Sequence, residues 1–498
     1  MQPSPSSRPV DPTLQAFRGD SRATPPLHPL EKWLVIVTSL HLCLLPWALG
    51  TMHVWSQCLS LALSLAGFVL ALIPRSYRED VGINGKFRLI MWPKLVRFPI
   101  FWLGLAYLAY VFIQAVNPAY VVMIQGTLRW TEAVPHFAWL PSGVQAPFAE
   151  MNAWRVLLIH GSALLLTCSL WVGFTRRTAV QNLLSVVVAN GTLFAFIGLI
   201  QRGTRTTEIL WFIPGRGSFF STIIYSNHAG AYLNLVYMIS TGLMYWYYAR
   251  SARRMERANP APIFGFACVV LGISVLLTYS RGATILMMAF TLLAFIGFMI
   301  RWAGSRSEGR NPLVLSLLCT VLALFLGLGA YFMKAGKSVD DLQKLAKTGT
   351  SDSSYTTRQL ARNATWDMAR DNPVTGWGAG SFRHYFPHYQ KAYPEIYRPG
   401  GGHMLRWNYA HNDYVQLVAE IGFAGAALIL AMLVAGSRHF LSHRAFLRPH
   451  ILFLLLALGL TLVHAWFDFV SHNPAVLLLW CATAIVAARW TELEDRRV

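Results

Sequence analysis

Charged residues are scarce in this chain, and acidic residues are the scarcest. Only 13% of its 498 residues are charged, against about a quarter in ordinary soluble proteins, while 55% are hydrophobic. This composition excludes a soluble globular protein. Lys and Arg number 42 against 22 Asp and Glu, which gives a net charge of +20. Such an excess suggests nucleic-acid binding only in a soluble protein, so we expect no nucleic acid among the partners.

Cysteine clusters and metal-binding motifs are also missing. The six cysteines lie inside apolar stretches, and no pair shows C-x-x-C or zinc-finger spacing. No H-E-x-x-H, D-x-D, P-loop or nucleophile-elbow sequence occurs at a usable position. We therefore predict no metal site and no cofactor.

The N-terminal segment lacks the short apolar core and cleavage site of a signal peptide. Its first 32 residues are polar and include seven prolines. We expect them to form a disordered cytoplasmic tail.

Long apolar runs dominate the rest of the chain. A hydrocarbon core of about 30 Å needs about 20 mostly apolar helical residues. Twelve stretches meet this requirement: 33–53, 55–73, 99–116, 154–174, 178–200, 229–248, 263–280, 282–301, 313–333, 413–435, 450–469 and 473–489. They predict an all-α polytopic membrane protein with about 12 transmembrane helices and one large, partly helical periplasmic loop.

The distribution of cations predicts the orientation. If the N-terminus is cytoplasmic, the inner segments hold most of the Lys and Arg, whereas the short outer loops hold only Arg129, Arg202, Arg205 and Arg216. The positive-inside rule then puts both termini in the cytoplasm. The expected regions are the tail 1–32, helices 1–9 over 33–333, the outer loop 334–412, helices 10–12 over 413–489, and a cytoplasmic tail over 490–498.

The outer loop holds a cluster of eleven Lys and Arg residues. Leu360, Ala364 and Met368 recur at helical spacing, which predicts a short amphipathic helix over about 355–370. A second stripe on this helix consists of Arg358, Arg362, Trp366 and Arg370. Guanidinium groups on one face suit a multivalent anion, because each can form a forked pair of hydrogen bonds with phosphate oxygens. A solvated face or contact with lipid headgroups explains the same charges.

Two features follow this helix in the loop. The glycines of GWGAGSF favour a tight turn over a phosphate-binding loop, because no strand precedes them. The dense aromatic residues after them fit either a membrane-interface belt or stacking on sugar rings.

The loop ends at His411, Asn412 and Asp413. Histidine titrates near neutrality and can take a proton from a hydroxyl nucleophile, as a glycosyl or acyl transfer would require. The alternative is a neighbour of a helix cap with no further role.

Arg281 lies between two apolar runs with no loop around it, in LLTYSRGATILMMAF. An arginine at membrane depth costs at least about 2.5 kcal/mol, so a functional partner is expected, unless its side chain snorkels to the headgroups. A third cluster contains Arg216, Tyr225, Asn227 and His228, for which structural packing is an equal alternative. We also expect His464 and Asp468, four residues apart, to bond to each other or to form a proton relay.

Taken in order, these motifs resemble the bacterial O-antigen ligase and polymerase superfamily of membrane glycosyltransferases. The resemblance covers nearly the whole chain. It consists of the spans, YSNHAGAYL, TYSRGA, the arginine helix leading into NPVTGWGAGSF, and AHNDYVQLVAEIG.

The resemblance implies an undecaprenyl-diphosphate-linked glycan as donor and a metal-independent transfer. Arg281 and Arg358 would hold the diphosphate, and His411 would activate the acceptor hydroxyl. Further substrate-binding candidates are Arg362, Arg216, Asn227, His228 and Asn412. Without a metal, arginines are the cations available to neutralise the leaving diphosphate.

The resemblance leaves the acceptor open. A polymerase extends another lipid-linked glycan, a ligase transfers the chain to lipid A core, and a related branch glycosylates protein. WLPSGVQAPF and the asparagine–histidine segment favour a polymerase from an O-antigen or exopolysaccharide pathway. A lipid-linked glycan transporter or flippase is the alternative from another class, although the internal repeats common in transporters are not evident.

Overall fold

The computed structural model describes residues 27–77, 87–126, 128–215, 219–254, 259–304, 312–335, 353–399, 402 and 404–495. Arg216, residues 1–26 of the N-terminal tail and residues 496–498 of the C-terminal tail lie outside these residues. Among the described residues, twelve helices correspond to the twelve predicted spans. They are α1 (Pro29–Trp47), α2 (Val54–Leu72), α4 (Pro99–Val116), α5 (Ala153–Gly173), α6 (Arg177–Gly203), α7 (Ser226–Arg254), α8 (Ala261–Leu277), α9 (Arg281–Gly304), α10 (Pro312–Ala335), α14 (Asp413–Ser442), α15 (Pro449–Phe467) and α16 (Pro474–Asp495).

Nine of these helices, among the described residues, are individually long and apolar enough to cross a membrane. The other three are α7, α8 and α10, of which α8 is short and α7 carries many polar residues. The chain is therefore an all-α polytopic membrane protein, as its apolar runs predicted. A contiguous apolar core joins α1, α5, α6, α7, α15 and α16.

Other elements connect these twelve helices. They are β1 (Arg75–Tyr77), β2 (Phe87–Leu89), α3 (Trp92–Val96), β3 (Pro118–Gln125), β4 (Leu128–Ala133), β5 (Gly143–Gln145), β6 (Glu208–Ile209), β7 (Ile213–Pro214), α11 (Ser353–Asp371), α12 (Phe382–Gln390) and α13 (Pro394–Tyr397).

A small sheet between α4 and α5 was not predicted. Its strand order is β4-β3-β5, with β3 antiparallel to β4 and parallel to β5. Tyr120 and the facing Ala133 set the register of the first pair, and Tyr120 and Val144 that of the second. Thr131 on β4 contacts the ring of His388 on α12 at 3.1 Å. The sheet and α11–α13 therefore lie on the same side of the bundle, which we call the loop face.

Helix α11 confirms the amphipathic helix predicted over 355–370. Ala361, Ala364 and Met368 are buried and pack with Phe382 and Phe386 of α12. The opposite stripe, which begins with Arg358 and Arg362, is left partly exposed. Burial of one face thus orients the arginines away from the small core of the loop.

The glycine-rich segment after α11 forms a tight turn that docks on α14, as expected. Gly376, Gly378 and Gly380 all have positive φ, a conformation that glycine adopts without a Cβ penalty. The N–H groups of Gly378 and Gly380 donate to the backbone and the carboxylate of Glu420, at 2.7 and 2.8 Å. This turn fixes α11 against the helix that begins beside His411.

Many of the loop aromatics pack on one another. Trp377 stacks on Tyr385 with ring centroids 3.9 Å apart, and Phe386 and Trp407 contribute to the same core. Their first role is therefore to fold the loop.

Candidate active site

Helix α14 begins with a cap that fixes the backbone of His411. Asn412 is fully buried, and its side-chain oxygen accepts hydrogen bonds from the N–H groups of Tyr414 and Val415 at 3.0 and 3.1 Å. Its amide nitrogen donates to the Trp466 carbonyl at 2.9 Å. These bonds occupy the Asn412 side chain within the protein, which indicates a positioning role rather than substrate contact.

His411 itself adopts a left-handed backbone conformation with φ of +54°. Such a φ is uncommon outside glycine and persists where surrounding contacts enforce it. The imidazole lies edge-on against Phe469 and Trp407, with ring centroids 4.8 and 5.7 Å away. Its side chain is 20% exposed, so one edge remains accessible.

The partner of His411 is Asp468. Helix α15 ends at Phe467, and Asp468 follows in an extended conformation that turns its carboxylate towards α14. Nδ1 of His411 lies 3.1 Å from Oδ1 of Asp468. Because an ionised carboxylate only accepts hydrogen bonds, His411 must carry its proton on Nδ1, which leaves Nε2 able to accept another.

Asp468 is buried and is satisfied from several directions. Its own carboxylate oxygens accept hydrogen bonds from the Phe469 N–H, from Asn227 and from the Tyr225 hydroxyl. Burial alone raises the pKa of Asp468, but the hydrogen bond from His411 and the neighbouring charge of Arg358 outweigh it and hold the pKa well below the usual range. The carboxylate is therefore ionised at neutral pH.

Arg358 reaches this cluster from α11. Its Nη1 donates to the Phe467 carbonyl at 3.3 Å and lies 4.0 Å from Oδ2 of Asp468. The side chain remains 34% exposed, so most of its donors stay available. Arg362, one turn further along, has no ion pair or hydrogen bond with another described residue and is partly exposed.

Arg281 is the first residue of α9 and is half-buried. A Cβ on the neighbouring Gly282 would lie 3.1 Å from Nε2 of His464, so α9 starts against α15 one turn before Asp468. The structure thus brings the start of α9 to the same end of the bundle as Arg358 and His411.

A cavity of about 470 Å³ opens beside His411. Tyr225, His228, Trp407 and Phe469 contribute to its walls, whereas neither Arg281 nor Arg358 lines it. His228 is buried, and its Nε2 contacts the Phe469 carbonyl at 3.2 Å. The neighbouring Asn227 instead bonds to Asp468. Asn227 and His228 are adjacent in sequence, but they therefore contact different parts of the site.

Sequence reasoning missed the pairing of Asp468 with His411. It assigned His464 as the partner of Asp468, on the assumption that α15 continues through both residues. The helix stops at Phe467, so the expected helical pairing is lost, and no direct hydrogen bond joins the two side chains among the described residues. The nearby asparagine and proline in SHNP were the available signal for an early helix end.

Potential metal ligands do not gather at this site in the described part of the chain. The one group found there, His439, His443 and Glu492, lies near the C-terminal ends of α14 and α16, on the other side of the bundle.

The fold and this cluster define a polytopic membrane protein with a histidine–aspartate pair and partly exposed arginines at one end of its helices. Residues 266–430 match the family model described as O-antigen ligase. This match confirms the predicted resemblance to the superfamily and supports a membrane glycan-transfer role in polysaccharide assembly. The match includes Arg281, Arg358 and His411, but not Asp468. The search of curated proteins found no match.

Proposed function

We propose that this protein transfers a glycan from undecaprenyl diphosphate to an acceptor hydroxyl at the periplasmic face of the bacterial inner membrane. The loop face would be periplasmic, with both termini cytoplasmic. The observation that carries the proposal is the histidine–aspartate pair beside the exposed Arg358 guanidinium, because it combines a proton acceptor with a diphosphate-binding cation.

In the proposed reaction, Nε2 of His411 takes the proton of the acceptor hydroxyl as its oxygen bonds to the anomeric carbon of the donor. The bond from that carbon to the diphosphate oxygen breaks, and the diphosphate leaves with the electron pair. Arg281 and Arg358, with Arg362 beside them, stabilise the charge that develops on it. Asp468 stabilises the imidazolium and keeps the Nδ1–H oriented.

Asn227, Asn412 and His228 act around this centre. Asn227 holds Asp468, Asn412 holds the start of α14, and His228 supports Phe469 and contributes to the cavity wall. We assign that cavity to part of the acceptor or donor glycan, because it adjoins His411 and has aromatic walls.

We favour a polymerase that transfers the growing glycan to another lipid-linked repeat. A ligase acting on lipid A core is the second candidate, since the matched family is described as O-antigen ligase. Purified protein reconstituted with a defined undecaprenyl-diphosphate oligosaccharide distinguishes them. A ladder of product sizes without any other acceptor supports the polymerase, and product formed only when lipid A core is added supports the ligase. Uptake or flipping without glycan transfer would contradict both and support a transporter.

Transfer is expected to need no divalent cation, because arginines supply the positive charge at the leaving group. Activity should be the same within error in a chelator such as EDTA and after adding magnesium. Loss of activity in EDTA and recovery with magnesium or manganese would instead implicate carboxylates such as Asp367 and Asp371 of α11.

A further inference from the structure

A second cavity lies at the loop face, away from His411. It has a volume of about 730 Å³ and lies between the C-terminal ends of α6 and α8. Leu199 and Leu277 form its apolar wall, and Arg202 and Arg205 form its basic wall, with Tyr279 beside them. We call this cavity the Gln201 cleft, after the residue that distinguishes it.

Gln201 lines the cleft and is only 3% exposed. Both polar atoms of its side chain are buried without a hydrogen-bond partner in the described part of the chain. Buried amides nearly always find partners, because an unmade hydrogen bond is costly. Gln201 therefore keeps an unsatisfied donor and an unsatisfied acceptor at the wall of the cleft.

Arg202 adds a positioned cation to the same wall. Its guanidinium lies 5.3 Å from the centre of the Tyr279 ring, and Nη2 donates to the Phe219 carbonyl at 2.9 Å. These contacts hold the group in place, while its buried Nε has no partner among the described residues. Arg205 is exposed at the mouth of the cleft. The same cleft is therefore lined by two arginines, whose guanidinium groups suit the oxygens of a phosphate or diphosphate.

The remaining side of the cleft suits an apolar tail. Helices α6 and α8 pack together, and Ile200 and Ile273 on their outer surfaces are well exposed. In a membrane these surfaces face lipid. A ligand with a phosphate headgroup, a hydroxyl-bearing substituent and a long apolar chain would satisfy the arginines, the Gln201 acceptor and the apolar wall together.

We propose that the Gln201 cleft binds the phosphate headgroup of a second polyprenyl-linked glycan, the acceptor lipid. This inference rests on the proposed function, because a polymerase must hold two lipid-linked glycans at once. Tyr279 lines the cleft, and Arg281 of the proposed donor site follows it two residues later. The two lipids would therefore lie on neighbouring parts of the loop face.

The test counts bound lipids on the intact protein in neutral phosphatidylcholine nanodiscs, by native mass spectrometry with undecaprenyl diphosphate as the probe. Wild type should bind two probe molecules at saturation. Arg202→Gln and the exposed Arg205→Gln should each weaken one of the two binding events at least tenfold. Arg358→Gln should weaken the other, and Arg398→Gln, an exposed arginine elsewhere on the loop, should change neither.

Competition identifies the source of the phosphate. Inorganic diphosphate and phosphatidylglycerol should each displace the second probe molecule at least tenfold less well than undecaprenyl diphosphate itself. If phosphatidylglycerol displaces the probe equally well, the assignment is wrong and the cleft is a site for bilayer lipids. If inorganic diphosphate displaces it equally well, the assignment is wrong and the cleft is a site for free anions.

The two proposals fail in different ways. If Arg205→Gln and Arg202→Gln both keep two tight binding events, the inference about the cleft is wrong while the donor site stands. If Arg358→Gln keeps both events but the cleft variants lose one, the proposed donor site is wrong while the cleft is supported.

Discussion

Two buried carboxylates at opposite ends of the bundle show what separates a structural ion pair from a candidate active site. Glu31, at the start of α1, pairs with Arg75 at 3.0 Å, and both side chains are completely buried. Glu31 also accepts hydrogen bonds from the backbone N–H groups of Thr175 and Arg176 at 2.8 and 3.1 Å. A completely buried pair whose carboxylate also accepts backbone hydrogen bonds ties segments together and has no room for a ligand.

Asp468 is equally buried, but its cation is different. Arg358 touches it only at 4.0 Å and remains about one-third exposed, and His411 keeps one ring nitrogen accessible. The Asp468 carboxylate therefore orients His411 and Arg358, and both of these side chains still have a donor or an acceptor available for a ligand. This contrast predicts that substitutions at Glu31 affect folding, whereas those around Asp468 affect the reaction.

The largest effect is expected from His411→Ala. Removal of a general base slows transfer by about 10² to 10⁴-fold, which corresponds to about 3–5 kcal/mol in the barrier. Donor affinity should change little.

Asp468→Asn should also lower turnover, because the imidazolium of His411 loses its counter-charge. Turnover at saturating donor and donor affinity should be measured separately, with the exposed His388→Ala as the control. Lost donor binding with unchanged turnover would move His411 to the diphosphate site.

Glu31→Gln tests the structural half of the comparison. Breaking a buried pair leaves Arg75 uncompensated and should destabilise the fold by about 3–5 kcal/mol. Thermal unfolding in detergent, with the exposed Glu395→Gln as a matched control, measures this loss. Turnover per folded molecule should equal that of wild type. A selective loss of turnover with an unchanged unfolding temperature would contradict the structural role.

Arginine substitutions should affect donor binding before turnover. Lysine keeps the charge but cannot form the forked pair of hydrogen bonds, so Arg281→Lys and Arg358→Lys should each weaken donor affinity by about 1–3 kcal/mol. Titration with the lipid-linked donor measures the change, and Arg398→Lys serves as the control. Wild-type affinity in both variants would show that the diphosphate binds elsewhere.

The smallest effect is expected on thermal stability, from substitution of His472, which lies four residues after Asp468. Burial lowers the pKa of His472, but the charge of Asp413 and its hydrogen bond at 2.6 Å outweigh it, so the net pKa is raised. A raised pKa means that protonation stabilises the folded state at low pH and that this contribution is lost as pH rises through the folded pKa.

His472→Gln should therefore lower the unfolding temperature by a few degrees at pH 6 and by less at pH 9. Parallel thermal unfolding of wild type and variant across this range gives the comparison. A difference that is constant with pH would show that packing, rather than the Asp413 charge, accounts for the role of His472.

Much of the fold was predictable because membrane helices are encoded locally. A bilayer requires about 20 apolar residues for each span and leaves no other secondary structure open to an isolated segment, so the hydropathy pattern identified all twelve helices. The periodicity of Leu360, Ala364 and Met368 likewise predicted α11. The β3–β5 sheet escaped prediction, because short strands give a much weaker sequence signal than a membrane span, and β5 joins β3 only through a parallel pairing across the intervening loop.

At the site, the sequence alone determined which residue types were available: a histidine at the start of a helix, arginines in an amphipathic stripe, and a family pattern that links them. Only the tertiary structure decided their partners. It ended α15 at Phe467, turned Asp468 towards His411, and occupied Asn412 in a cap. It also left Gln201 buried without a partner in the described residues, because hydrogen bonding depends on which distant backbones and side chains meet, and local sequence does not encode that.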